Sequence, residues 1–272
     1  MRDFFGFDNR VTIRGVLDRF EIRRGGNVMV WVRISDREDI RQGEIDDDNP
    51  KYSTSILSVH IGASVIDAAI MLDNAPNVES FLVVGSILNM EGYIRGTKMV
   101  MGADIRLGKE VAASRVRRSN ATKDARTFAA FELVGFVKRV VAKGWKGGSV
   151  IVQTGKRPDR EIAGTEGQRF YTDLALLRLP KRLADQMRED YKEKGVEHSN
   201  GGSIEQLLPE AGHVGIRGFI YGIRTDAVRS DGEEQSYYGQ DFIMREIFFR
   251  SSRHAAQVTS QPIDNELVTD LG

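Results

Sequence analysis

From Asn27 to Ser35 the chain reads NVMVWVRIS, in which Val28, Val30, Val32 and Ile34 alternate with Met29, Trp31, Arg33 and Ser35. Successive side chains of a strand point to opposite faces, so this period of two predicts a strand with an aliphatic core face. Its outer face, which should meet water, holds a tryptophan beside an arginine. Comparable alternation over RVTIRGVL from Arg10, YSTSILSVHI from Tyr52 and LNMEGYIRG from Leu88 predicts further strands. Between the third and fourth of these, roughly Ala63 to Asn74 carries Val65, Ala68, Ala69 and Leu72 at helical spacing.

The same order of elements recurs later in the chain. FELVGFVKR from Phe131 matches RVTIRGVL, with Gly135 on Gly15, Leu133 on Ile13, Val137 on Leu17 and Arg139 on Arg19. Gly147-Gly148 before SVIVQ stands where Gly25-Gly26 precedes NVMVWV, and FYTDLALLRL from Phe170 matches YSTSILSVHI. VGIRGFIYG, Val214 to Gly222, matches LNMEGYIRG with Gly218 on Gly92 and Phe219 on Tyr93. FIMREIFF from Phe242 is set against VMGADIRL from Val100. Five matches in one order argue for duplication of a strand-rich unit. The second copy has its helix over Lys181 to Lys194, after Pro180, a residue suited to a first helical turn.

Five strands with a helix between the third and fourth are the layout of an OB-fold barrel. The expected fold is therefore all-β with minor helix: two tandem OB-fold domains, 1–108 and 128–250. The basic stretch 109–127 reads as a linker and 251–272 as a flexible, mildly acidic tail.

Composition narrows the function classes. The 272 residues hold 39 basic and 39 acidic side chains, a formal net charge of zero, so no whole-molecule field attracts a polyanion and any such role rests on local patches. Cysteine is absent, which excludes disulfides and thiolate metal sites. Without a long apolar run or a signal-like start at MRDFFGFDNR, the expected location is the cytoplasm, or the host cytoplasm if the chain is phage-encoded.

NRVTIRGVL, Asn9 to Leu17, resembles the opening strand of the bacterial-type single-stranded DNA-binding proteins, and VGSILNMEGYI, Val84 to Ile94, resembles their fourth-strand signature. The second copy has a looser form, AGHVGIRGFI, with Arg217 where the first has Glu91. The resemblance implies sequence-independent binding and protection of single-stranded DNA during replication, recombination or repair. Members usually carry one domain, form tetramers and end in an acidic tail tipped with Pro-Phe that recruits partner proteins. Here two domains share a chain that closes Asp-Leu-Gly, so a divergent or virus-encoded member with tandem domains is the expectation. Homo-oligomerisation and recruitment of replication or recombination proteins through the tail are left open.

On the binding side of an OB barrel, bases stack on aromatics and arginines meet phosphates. Trp31 and Tyr52 are the candidate stackers, and Arg33 and His60 share their faces. Arg14 on the first strand and Tyr93 and Arg95 on the fourth project outward in the same pattern. Arg19, Arg23 and Arg24 are assigned to the loop joining the first two strands as phosphate contacts. In the second copy Ile151 and Gln153 are set at the places of Met29 and Trp31, while Trp145 and Lys146, in the preceding loop, and Phe170, matching Tyr52, are the candidates. Arg224, Arg229, Tyr237 and Tyr238 flank an acidic hairpin tip that reads as solvated.

Catalytic and metal motifs are lacking. Gly155 to Arg157 fails the Walker pattern, the four histidines form no ligand pair, and Glu44, Asp46, Asp47 and Asp48 read as a solvated hairpin. The reading is a binding protein, not an enzyme, without cofactor or metal, its partner single-stranded DNA and not a membrane. An OB-fold scaffold or assembly protein that docks protein on Trp31, and an RNA-binding OB protein, are the alternatives.

Overall fold

A computed structural model describes residues 8–37, 52–101, 104–120, 126–142, 147–156, 171–193, 204–208, 210–228 and 234–251. The strands are β1 (Asp8–Ile22), β2 (Val28–Arg37), β3 (Tyr52–Ile61), β4 (Ile87–Met101), β5 (Asp104–Arg118), β6 (Phe128–Ala142), β7 (Gly148–Lys156), β8 (Tyr171–Leu179), β9 (His213–Val228) and β10 (Glu234–Ser251). The helices are α1 (Ala63–Asp73), α2 (Val78–Phe81), α3 (Lys181–Glu193) and α4 (Ile204–Leu207).

In the first half β1 pairs antiparallel with both β2 and β4, β2 with β3, and β4 with β5, while β3 runs parallel to β5 at Val59–Ile61 against Val111–Ala113. That closes a five-stranded barrel of OB type, and β6 to β10 close a second with the same pairings. The inward residues are those the alternation selects: Ile13, Leu17, Val28, Val30, Val32, Ile34, Leu57, Val59 and Ile61 are all buried. Helix α1 covers the barrel with Ile66 and Ala69 buried and Val65 and Ile70 packed beside them, while Leu72 is exposed. The helical stripe thus lies one position away from the Ala68 and Leu72 edge the spacing suggested.

The barrels join through β1 and β6, which pair antiparallel from Asp8↔Val134 to Arg14↔Phe128. Val11 faces Gly92 on β4, and Phe131 faces Gly218 on β9, so the two occupy equivalent places. They also face each other at the centre of the β1–β6 pair, which puts an approximate two-fold axis through the seam. The outcome is one sheet face running β5-β4-β1-β6-β9-β10. The β9–β10 hairpin also crosses to the first barrel. The Gly222 N–H donates to Ser55 Oγ at 3.2 Å, Gln240 Nε2 donates to the Lys109 carbonyl at 3.2 Å, and the Lys109 ammonium pairs with Asp241. A Cβ on Gly222 would lie 2.1 Å from the Ile56 carbonyl oxygen, so this close crossing requires glycine.

Three sequence expectations change. Residues 109–118, expected to open a linker, form the second part of β5, where Val111, Ala113 and Val116 are buried. The counterpart of FIMREIFF is therefore this stretch and not VMGADIRL: Phe242 and Ile243 meet β8 as Val111 and Ala112 belong beside β3. In the second barrel Ile151 faces Arg139 as Trp31 faces Arg19, so Ile151 holds the place of Trp31 and Gln153 that of Arg33. The shift is two residues, which leaves every side chain on its expected face.

Candidate nucleic-acid interface

Trp31 lies on the outer face of β2, half-buried, opposite Arg19 on β1 and Ser58 on β3. Arg19 is a strand residue and not part of a loop, because β1 extends to Ile22 and only a short 3₁₀ turn, Arg24–Gly26, separates it from β2. A register shift between Leu17 and Arg19 turns Arg19 outward beside the indole. Its guanidinium carbon sits 4.5 Å from the Trp31 ring centroid, a cation–π contact that fixes the ring's orientation. At the same bulge Asp18 pairs with Arg33, Nε to Oδ1 3.2 Å, which holds the guanidinium two places along β2 from the indole.

The face continues onto β3. His60 stands opposite Met29, and Ile56 opposite Arg33. Burial, then the positive charge of Arg95 and more weakly that of Arg23, pushes the His60 imidazolium to a lower pKa than its ordinary 6.5, with Glu110 opposing. Arg95 is itself held by Glu110, with Nη2 to Oε2 at 2.6 Å and Nε to Oε2 at 3.0 Å. Tyr93 lies further round the barrel, opposite Ala112, which faces His60. Arg14 lies on β1 and its Nε donates to Asn89 Oδ1 at 2.9 Å.

The structure thus brings Trp31, Arg19, Arg33 and His60 together, sets Arg95 at their edge, and places Tyr93 and Arg14 on adjoining strands. Arg23 and Arg24 are exposed at the β1–β2 turn, where the Asn27 side chain accepts from the Ala63 N–H at 3.2 Å and ties the turn to α1. Tyr52 is in β3 opposite Arg37, but its side chain lies outside the described residues, as do Trp145, Lys146 and Phe170. Glu44, Asp46, Asp47 and Asp48 and the acidic hairpin tip lie there too, with Arg229 and the side chains of Arg224, Tyr237 and Tyr238. The sequence reading missed Asp18 and Glu110, the carboxylates that position Arg33 and Arg95. Asp18 sits at a bulge that strict alternation cannot mark, and Glu110 fell in the supposed linker.

The corresponding face of the second barrel has different chemistry. Ile151 stands for Trp31 and Gln153 for Arg33, and Leu176 faces Ile151 across β8. Arg178 takes the place of His60 and lies 3.9 Å from Asp241, whose carboxylate also holds Lys109 of the first barrel. Among the described residues, the indole with a guanidinium over its ring belongs to the first barrel; in the second, Arg139 faces Ile151 and Phe136 faces Gln153, while Arg178 and Asp241 lie at the contact between barrels. Among the described residues no group of three His, Asp or Glu side chains is arranged to hold a metal ion. No described helix is long and apolar enough to cross a membrane.

No protein-family model matches the chain, and no curated protein matches it. Among solved structures it is similar to the wild-type single-stranded DNA-binding protein from Thermus aquaticus, with 11% identity and a TM-score of 0.47 over 91% of this chain and 95% of that one. A deletion mutant of that protein gives 11% identity and a TM-score of 0.48 over 90% and 95%. A Plasmodium falciparum SSB in complex with ssDNA gives 13% identity and a TM-score of 0.30 over 42% and 96%.

Proposed function

We propose that this protein binds single-stranded DNA without sequence preference on the outer face of β2 and β3 of the first barrel, and coats the strand in replication, recombination or repair without chemistry of its own. The observation that carries this reading is Trp31, turned away from the core and oriented by the Arg19 guanidinium 4.5 Å from its ring, with Arg33 on the same face. A base stacks on the indole whatever its identity, because every base has a π-face. Arg33, Arg19 and Arg23 supply phosphate contacts, and Arg95 and His60 extend the positive border. A duplex hides its bases in the stack and offers Trp31 nothing to cover.

The test is competition for a fluorescently labelled oligo(dT) by unlabelled single-stranded DNA, duplex DNA and RNA, followed by anisotropy. Displacement by single strands and not by duplex supports the reading. Stronger displacement by RNA than by DNA replaces it with an RNA-binding one. No binding of any nucleic acid, together with self-association that depends on Trp31, favours protein docking on this face.

A further inference from the structure

We propose that the bound strand does not end at the β2–β3 face but continues round the first barrel to a second contact site at the seam between the barrels, formed by Arg126, Phe128, Arg14 and Arg117. This extension rests on the reading of the Trp31 face given above.

Two contacts stitch the seam to that face. The Ser35 N–H donates to Thr127 Oγ1 at 2.7 Å, which holds the chain between Arg126 and Phe128 against β2, two places beyond Arg33. Phe128 then pairs opposite Arg14, whose guanidinium lies 6.0 Å from the phenyl centroid. Arg14 bonds Asn89 on β4, and Asn89 in turn faces Arg117 on β5. Phe128, Arg14, Asn89 and Arg117 form one row across four neighbouring strands, a span of about 14 Å at the usual strand spacing.

The charge balance sets this row apart from its neighbours on the same face. Three other guanidinium groups there are matched by carboxylates: Arg10 by Asp8 at 3.5 Å, Arg115 by Glu91 at 3.6 Å, and Arg217 by Glu132 and Glu246 at 2.9 and 3.2 Å. Arg117 and Arg126 are exposed, and among the described residues no carboxylate pairs with either of them or with Arg14. Phe128 is 37% exposed beside them. An open aromatic ring among guanidinium groups is the combination that holds unpaired bases and their phosphates. A second copy docked symmetrically on the same row would bring three like charges against three, which disfavours self-association there.

The test compares the wild-type chain with an Arg117→Gln/Arg126→Gln double variant and a Phe128→Ser variant, all at exposed positions. Each is titrated with oligo(dT) of roughly 8 and roughly 30 nucleotides, lengths within and beyond what a single OB fold covers, over a range of salt. The expected result is wild-type affinity for the short strand and weakened affinity for the long one. For the double variant the log–log salt slope on the long strand is shallower by about 1.4, or 0.7 for each phosphate contact removed. Wild-type affinity for both lengths with an unchanged slope overturns the seam site and leaves the Trp31 face standing. A wild-type chain that binds neither length overturns the Trp31 reading itself. Altered sedimentation of Phe128→Ser with unchanged DNA affinity overturns the proposal in favour of a second copy on this face.

Discussion

Arg19 and Trp31 face each other across β1 and β2, and the guanidinium covers the indole at 4.5 Å from its centroid. The contact depends on the bulge after Leu17, since an unbroken period of two would turn Arg19 inward with Leu17. In the binding mode proposed above it holds a large ring in place before a base arrives, so less side-chain freedom is lost on binding.

Trp31→Ala is accordingly expected to weaken single-strand binding by roughly 1–3 kcal/mol, the value of one stacked base. Trp31→Phe keeps part of the affinity, and Arg19→Gln loses less than Trp31→Ala. Anisotropy titrations measure the affinities, and circular dichroism melting should give an unchanged midpoint for all three. A collapse of the midpoint for Trp31→Ala would instead assign the indole to a structural interface.

His60 gives the interface a pH signature. Its folded-state pKa is lowered, chiefly by burial and then by Arg95, so the unfolded chain takes up this proton at a higher pH than the folded one. The stability contribution is therefore intact above the ordinary value of 6.5 and is lost as pH falls from there through the lowered folded value. A bound phosphate favours the imidazolium, so binding takes up a proton and tightens as pH is lowered from neutrality. Affinities measured in buffers on either side of that value should show this trend, and His60→Gln should flatten it.

Gly92 marks the place where β4 shifts register against β5. A Cβ there would stand 2.2 Å from the Ala112 carbonyl oxygen, a backbone atom that cannot swing aside. Gly92→Ala should cost about 1–3 kcal/mol by overpacking. Gly239→Ala, with nothing within 4 Å of its built Cβ, should stay near neutral. Urea unfolding of the two variants distinguishes these outcomes.

The two barrels use one ion pair in opposite polarity. Glu91 faces Arg115 in the first, and Arg217 faces Glu246 in the second, where Glu132 adds a second carboxylate. Hydrogen bonds donated to Glu132 and then to Glu246 raise the Arg217 pKa. Arg217→Glu should lower the melting midpoint by setting three carboxylates together. Adding Glu246→Arg should recover most of it, because that pair then has the polarity found in the first barrel. Differential scanning calorimetry of the single and double variants checks this.

Much of the fold is legible because strand alternation is strong where the core is aliphatic. Val28 to Ile34 and Leu57 to Ile61 place their inward residues without ambiguity, and the duplicated order marks two units. β5 is hidden for a physical reason. Its core residues include the small Ala113, a register shift beside Gly92 breaks the period of two, and the arginines between them give it the look of a solvated linker. The slip in β7 comes from aligning glycine pairs that sit two residues apart in connections of equal length, Ile22 to Val28 and Ala142 to Gly148, an error that conserves facing and so escapes pattern reading. Of the site, Trp31, Arg33 and His60 follow from alternation alone. The carboxylates of Asp18 and Glu110 depend on a bulge and on strand pairing, which no local pattern encodes.

The central claim is a base stacked on Trp31, and intrinsic fluorescence tests it most directly. The chain has two tryptophans, so a Trp145→Phe variant leaves Trp31 as the only indole. Titration of that variant with oligo(dT) should quench its emission to saturation, less completely as salt rises, with no effect from duplex DNA. Binding seen by anisotropy with unchanged Trp31 emission would contradict stacking at this residue, and the absence of both signals would contradict the account as a whole.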